Sequence, residues 1–124
     1  MADHYLKLRP QSLQRISVGT KTVEGRLASR NTRSIQPGDT LIFNDGALIC
    51  DVLRCTEYAT WGELIARETA SALGFTNADV ALAAYQKIYW YAKDRPVLAI
   101  VLTPIFAQQA TLFAPTYSKV TTPR

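Results

Sequence analysis

The segment 40–58, TLIFNDGALICDVLRCTEY, constrains the fold most, because it predicts a β-hairpin. TLIF predicts one strand, NDG is a tight hairpin signal, and ALICDVLRCTEY predicts the returning strand. The alternation of the returning strand breaks at Asp51, Leu53 and Arg54, which indicates a β-bulge or a strong bend. Nearer the C-terminus, RPVLAIVLTPI is apolar on both faces, so it predicts a strand in the centre of the sheet.

The N-terminal part of the chain predicts two further strands and a short helix. HYLKLRP alternates polar and apolar residues and predicts a first strand closed by Pro10, and PQSLQRISVG predicts a helix stopped by Gly19. KTVEGRL predicts the next strand. ASRNTRSIQPGD predicts a polar loop, in which Pro37–Gly38 is the pair that a type II turn prefers.

Two helices are predicted between the hairpin and the last strand. TWGE has the pattern of a capping box, and the helix that it begins has one apolar face and ends at Gly74; the face comprises Trp61, Leu64, Ile65 and Ala72. TNAD begins the next helix, with Ala81, Ala84, Tyr85 and Ile88 at helical spacing. This order predicts an α+β fold: a small, mostly antiparallel β-barrel or curved sheet with flanking helices.

The composition is that of a cytoplasmic globular domain. A chain of 124 residues with 48% apolar and 19% charged residues is long enough to bury one core. No apolar run approaches the roughly 18 residues of a membrane span, and the charged N-terminus does not favour a signal peptide. Cys50 and Cys55, five apart in a strand, are expected on opposite faces and unpaired, as in a reducing compartment. One His and two Cys predict no metal site, and no cofactor is expected.

The charge is unevenly distributed along the chain. The net charge is +4, and one basic stretch carries a single anion, Glu24, against five cations: Arg15, Lys21, Arg26, Arg30 and Arg33. A phosphate-bearing partner would favour such a stretch. A solvated face of a basic protein explains the same pattern, so both interpretations stay open.

The most unusual local pattern is GTKTVEGR, which places two cations and a carboxylate in six residues. In a regular strand Glu24 and Arg26 point one way and Lys21 the other, but all three converge if Lys21 still lies in the preceding turn. The carboxylate would then accept from both cations, and either cation would hold a phosphate or carbonyl oxygen. The alternative is a surface salt bridge worth about 0–1 kcal/mol.

This pattern, Gly-x-Lys-x-x-Glu-x-Arg, resembles the signature of the ASCH domain, a branch of the PUA-like superfamily. Three other segments are similar to the same family in the same order: IQPGDTLIFND, VLRCTEYATWGELI and YQKIYWYAKDRPVLAIVL. The resemblance covers about residues 5–104. It implies an ASCH domain over residues 1–105 and a C-terminal extension of unknown role over residues 106–124.

The resemblance implies a β-barrel with a basic cleft that recognises RNA or a modified nucleoside. PUA-like domains commonly bind RNA, some ASCH proteins are amidohydrolases that deacetylate acetylcytidine nucleosides, and one branch is described as a ribonuclease. Gly19, Lys21 and Arg26 match the amidohydrolase branch. That branch has a threonine where this chain has Glu24, and a glutamate where a rough alignment places Gly74. Glu24 matches the broader family pattern.

These arguments assign expected roles to seven residues. Lys21 and Glu24 are the candidate catalytic residues, and the candidate substrate- or RNA-binding residues are Gly19, Arg26, Arg30, Arg33 and Tyr89. The functions left open are an amidohydrolase for acetylcytidine-type nucleosides, a non-catalytic RNA-binding or ribonuclease-like module, and an accessory protein with an inert cleft. An enzyme for nucleosides needs Lys21 and not Arg30 or Arg33, whereas RNA binding needs all three. The sequence does not indicate the oligomeric state.

Overall fold

The computed structural model describes residues 1–108 of the chain. Its elements are β1 (Asp3–Leu6), α1 (Pro10–Ser17), β2 (Val23–Leu27), α2 (Arg30–Arg33), β3 (Thr40–Phe43), a 3₁₀ turn (Asn44–Gly46), β4 (Leu48–Tyr58), α3 (Trp61–Glu68), α4 (Ala78–Ile88) and β5 (Val97–Ala107). No helix within this part of the chain is long and apolar enough to cross a membrane.

The five strands form one curled sheet in the order β1-β3-β4-β5-β2, a half-barrel with helices packed against it. β1 and β3 pair in parallel, whereas the β3–β4, β4–β5 and β5–β2 pairs are antiparallel. The predicted α+β fold, with a mostly antiparallel curved sheet and flanking helices, is therefore confirmed.

Strand β5 is central and buried on both faces, as its apolar sequence predicts. Val97 and Ala99 belong to one core cluster, which they share with α3 and α4. Leu98 and Ile100 belong to a second cluster, which includes Ile16 of α1 and the β3–β4 hairpin. The sheet thus separates two apolar cores, and β5 contributes to both.

The predicted bulge in β4 is confirmed, and it overturns the expected orientation of the cysteines. Val52 pairs with Leu102 and Arg54 with Val101, which leaves Leu53 unpaired and exposed. The extra residue restores the parity between Cys50 and Cys55, so both pack against the same core cluster rather than on opposite faces. Both are free thiols, as expected, and burial raises the pKa of Cys50 to about 12.

The segment predicted as a polar loop contains the short helix α2. Ser29 caps it: the Ser29 side chain accepts from Thr32 N, and Ser29 N donates to the Thr32 hydroxyl at 2.8 Å. Ser29 and Thr32 thus form a capping box in which threonine takes the place that Glu or Gln usually occupies. The sequence was not predicted as a helix start, because the usual capping-box residue is absent. Beyond α2, the predicted turn is present, with Gly38 at φ +91° and Asp39 N donating to Gln36 O at 3.0 Å.

Helix α3 begins as predicted but ends earlier. The Thr60 side chain accepts from Glu63 N at 3.1 Å, while the Glu63 carboxylate accepts from Ala59 N rather than from the cap residue itself. The helix ends at Glu68 because Thr69 adopts φ +78°, which no helix continues. Residues 69–74 therefore form irregular turns, and the predicted stop at Gly74 is wrong.

Strand β5 runs through Ala107, so the first two residues of the predicted C-terminal extension pair with β4 in the sheet. The rest of that extension, from residue 109, lies outside the described residues.

Asp39 joins the first strand to the turn before β3. Its carboxylate accepts from Ala2 N and Gln36 N, each at 3.0 Å, and lies 2.8 Å from His4 Nε2. The hydrogen bond to His4 and the two backbone donors lower the pKa of Asp39 to about 2. This buried carboxylate therefore stabilises the fold in its ionised form.

We expect Asp39→Asn to lower the free energy of unfolding at pH 7 and to matter less as the pH falls. The folded-state pKa of about 2 lies below the ordinary value of 3.8, so the contribution of Asp39 is complete above about pH 4 and is lost towards pH 2. Urea unfolding of both proteins at pH 7, 4 and 2.5 measures this difference. If the difference in the free energy of unfolding between the two proteins stays constant across that range, ionised Asp39 does not stabilise the fold.

Candidate functional site

A turn after α1 delivers Lys21 to the start of β2. Gly19 has φ +85°, a left-handed conformation that favours glycine, and Lys21 N donates to Arg15 O at 3.2 Å. Lys21 thus precedes the first residue of β2, Val23, and is not bound by the strand's alternation. This is the condition under which its side chain can join those of Glu24 and Arg26.

Glu24 lies between two cations. Its Oε1 is 3.1 Å from Lys21 Nζ, and its Oε2 accepts from Arg26 Nε at 2.7 Å. Lys21 and Glu24 are 5% and 6% exposed, so both charged groups are buried and largely desolvated. Burying a charge pair costs desolvation energy that the mutual attraction barely offsets, and removing one partner costs about 3–5 kcal/mol. The cluster is therefore a site of specialised electrostatics and not a surface salt bridge.

Gly74 packs against the stem of Lys21. A Cβ at Gly74 would lie 3.2 Å from Lys21 Cδ, and the residue has φ +91°. Arg15 Nη1 donates to Gly74 O at 3.3 Å, and Ala72 O accepts from Thr22 N and Val23 N. Gly74 is thus beside Lys21, where it supplies only backbone.

These groups open onto a small cleft of about 160 Å³. Its lining has four cations and one carboxylate; it comprises Lys7, Leu8, Arg9, Ser12, Lys21, Glu24, Gly25, Arg26, Phe75, Tyr85, Ile88 and Tyr89. The volume lies below the range of about 300–1,000 Å³ that is typical of pockets for drug-sized ligands. The cleft is therefore electropositive and suited to one small group.

Three stacked aromatic rings form one wall of this region. The centroid of the Trp61 ring lies 4.0 Å from that of Tyr85, with an interplanar angle of 2°. It lies 5.3 Å from the ring centroid of Tyr89, with an interplanar angle of 17°. Trp61 and Tyr85 are buried in the core, as predicted, while Tyr89 is half-buried and lines the cleft. Within residues 1–108, the Tyr85 hydroxyl is the buried side-chain group without a hydrogen-bond partner. Burial raises its pKa, so it remains a protonated donor.

A family comparison decides what kind of domain holds this cleft. The model of the ASCH domain family matches residues 6–106. The chain belongs to the ASCH domain family. No curated protein matches it.

Solved structures agree with this family assignment. The crystal structure of hypothetical protein PH0355 has a TM-score of 0.77 and 28% identity, covering 85% of this chain and 100% of its own. The solution structure of protein PF0455 from Pyrococcus furiosus has a TM-score of 0.67 and 25% identity. The match covers 83% of this chain and 97% of the PF0455 chain. A mutant ASCH protein from Zymomonas mobilis is 14% identical with a TM-score of 0.62, covering 98% and 86%, and shows likeness of fold alone.

The ASCH domain places the other predicted residues apart from this cleft, with one exception. Tyr89 lines it, but Gly19, Arg30 and Arg33 do not. Arg33 donates from Nε and Nη2 to the Glu57 carboxylate, both at 3.0 Å, in an exposed pair. Arg30 is exposed at the start of α2. Their proposed part in binding stays a prediction.

Sequence reasoning missed the contribution of the β1–α1 connection to the ASCH cleft. Lys7 and Arg9 of this connection line the cleft, together with Ser12 in the first turn of α1. Arg26 Nη2 donates to Lys7 O at 2.5 Å, so the guanidinium that holds Glu24 also holds this segment. The available signal was the pair of cations flanking Leu8 just before Pro10, which a surface strand explained equally well.

Another buried carboxylate, Glu68, lies outside the cleft lining. It accepts from Arg54 Nη1 and Nη2 at 3.0 and 2.6 Å and from the Tyr58 hydroxyl at 2.5 Å. The hydrogen bond from Arg54 lowers the pKa of Glu68. Burial raises the pKa of Tyr58, and the hydrogen bond to Glu68 raises it further. This cluster joins the end of α3 to β4. In residues 1–108, no three His, Cys, Asp or Glu residues are grouped to hold a metal ion.

We expect Gly25→Ala to destabilise the ASCH domain by about 1–3 kcal/mol, the usual cost of overpacking. The added Cβ would lie 2.9 Å from Tyr85 Oη and 3.0 Å from Trp61 Cζ3. Tyr85→Phe in the same background removes the nearer atom, so the double variant should regain part of the loss. Chemical denaturation measures both changes.

Gly62→Ala is the matched control, because the nearest atom to its Cβ is Thr60 Oγ1 at 3.8 Å. It should leave the free energy of unfolding unchanged or raised, since Ala is the better helix former. Equal losses for Gly25→Ala and Gly62→Ala would contradict the packing argument.

Proposed function

We propose that the cleft binds the base of a modified nucleoside, presented free or within RNA, and hydrolyses an acyl amide on it, as in acetylcytidine. The observation that carries this proposal is the buried Lys21–Glu24 pair, 3.1 Å apart, in a small electropositive cleft. A protein gains little stability from such a pair, so its presence favours a chemical or recognition role.

The size and charge of the cleft support recognition of a single base. A volume of about 160 Å³ has room for one small planar group, and Tyr89 offers it an aromatic neighbour. Lys7 and Arg9 add cations to the same lining, where a phosphate or a carbonyl oxygen would be held. Stacked or paired bases of a duplex do not fit such a site, so the ligand is unpaired.

The same residues can be assigned the steps of amide hydrolysis. Glu24 takes a proton from a water, whose oxygen attacks the acyl carbonyl carbon. Lys21 stabilises the oxyanion that develops and gives a proton to the departing amine as the carbon–nitrogen bond breaks. The products are a carboxylic acid and the unmodified base, and the proton held by Glu24 then passes to Lys21, 3.1 Å away, which restores both groups. Arg26 holds Glu24 in position from the other side.

A second candidate, recognition without catalysis, is favoured by two observations. Both oxygens of Glu24 already face cations, so neither oxygen is free to take a proton from a water. Gly74 supplies no carboxylate beside Lys21, where the amidohydrolase branch has a glutamate. On this alternative the cluster shapes the cleft, and the domain binds RNA.

The deciding experiment is hydrolysis of N4-acetylcytidine by the wild-type protein and by Lys21→Ala, followed by chromatography of the released cytidine. We expect Lys21→Ala to lower kcat/KM by about 100-fold or more, which is typical for loss of an oxyanion stabiliser. Arg30→Ala is the control, because this exposed cation lies outside the cleft lining; its kcat/KM should stay within about twofold. Circular dichroism establishes that each variant is folded.

Other outcomes separate the two candidates. If the wild-type protein shows no turnover but binds RNA through Lys21, the non-catalytic function is correct. If it neither hydrolyses nor binds any base-containing ligand, the proposed function is wrong. Should Lys21→Ala not fold, Lys21→Met keeps most of the buried stem and repeats the test.

A further inference from the structure

A second, larger groove of about 510 Å³ adjoins the cleft. Its lining combines aromatic rings with a few polar groups; it comprises Thr60, Trp61, Gly62, Leu82, Gln86, Tyr89, Trp90 and Lys93. None of the roles assigned above uses this groove.

Tyr89 lies between the groove and the cleft, because it lines both. Trp61 supports it from within the core, with its ring stacked against those of Tyr85 and Tyr89. Tyr89 is therefore held at the boundary between the two cavities by a rigid aromatic stack. A ligand bound in the cleft meets the groove across this one ring.

The groove also contains a large aromatic side chain that is mostly exposed to solvent. Trp90, two residues after α4, is 70% exposed. Its ring meets that of Tyr91 edge-on, with an interplanar angle of 87°. An exposed indole beside a cavity offers a flat face for stacking. Lys93, exposed in the same lining, places a cation near that face.

We propose that this groove binds the nucleotide next to the one in the cleft, so that the ligand is a single-stranded RNA and not a free nucleoside. The inference rests on the proposed function of the cleft and names its substrate class. The base stacks on Trp90, and Lys93 contacts the backbone phosphate. Charge favours a nucleic acid over a peptide, since the two linings together hold five cations and one carboxylate.

The test compares Trp90→Ala with the wild-type protein, using two probes. One is N4-acetylcytidine, and the other is a trinucleotide with N4-acetylcytidine at its centre. Base–aromatic stacking is lost on alanine substitution, so the affinity for the trinucleotide should fall by about tenfold, while that for the nucleoside stays unchanged. Isothermal titration calorimetry measures both affinities where the probes are not hydrolysed, and KM for each probe replaces the affinity where they are. Tyr5→Ala is the matched control, because Tyr5 is equally exposed, at 72%, on β1.

Two further comparisons identify the contact. Two trinucleotides, each lacking one of the two flanking bases, are compared first. One of them should bind the wild-type protein about as weakly as the intact trinucleotide binds Trp90→Ala. Trp90→Ala should weaken the binding of that trinucleotide little further. Lys93→Ala should reduce the salt dependence of trinucleotide binding by about one phosphate contact. Lys87→Ala, another exposed lysine near the end of α4 but outside the groove lining, should not.

The failure of this inference is distinguishable from failure of the proposed function. If the nucleoside binds and the trinucleotide binds no tighter, or if Trp90→Ala leaves trinucleotide affinity unchanged, the groove does not hold a neighbouring nucleotide. If the wild-type protein binds neither probe, the proposed function of the cleft is itself wrong and this inference is overturned with it.

Discussion

The burial of β5 on both faces organises the whole molecule. Because its side chains are apolar in both directions, each face of the sheet needs a cover, and α3 and α4 provide one while α1 and the β3–β4 hairpin provide the other. β5 pairs with β4 on one side and with β2 on the other. β2 carries Glu24 and Arg26, so the candidate site is positioned by its pairing with a doubly buried strand.

Gly25 links the charged cluster to the aromatic wall. It lies between Glu24 and Arg26 and has no side chain, so Tyr85 and Trp61 approach the strand directly. This close approach places an ion pair beside aromatic rings, where the interaction between charges is stronger than in water. Tyr89 extends the same stack to the boundary with the larger groove. One missing side chain thus explains why the electrostatic and stacking features share a single region.

Local sequence patterns predicted the elements that depend on local physics. The hairpin, the central strand β5 and helix α4 follow from periodicity and turn chemistry. A break in alternation at Leu53 indicated the bulge, but strict alternation placed Cys50 and Cys55 on opposite faces, because it ignores the extra residue between them. Helix α2 and the end of α3 were missed because they depend on an unusual cap at Ser29 and on the left-handed backbone of Thr69.

The residue types of the site, the family to which the chain belongs and the order of most of its elements follow from the sequence alone. The fold establishes which charged side chains meet: Lys21 and Arg26 converge on Glu24, whereas Arg33 pairs with Glu57 on the surface. It also brought Lys7 and Arg9 to the cleft and Gly74 against Lys21. The contacts of Lys7, Gly74 and Arg33 join residues far apart in the chain, whereas the meeting of Lys21 with Glu24 depends on the backbone path of the turn before β2. Their proximity depends on sheet order and loop paths, which short-range periodicity does not encode.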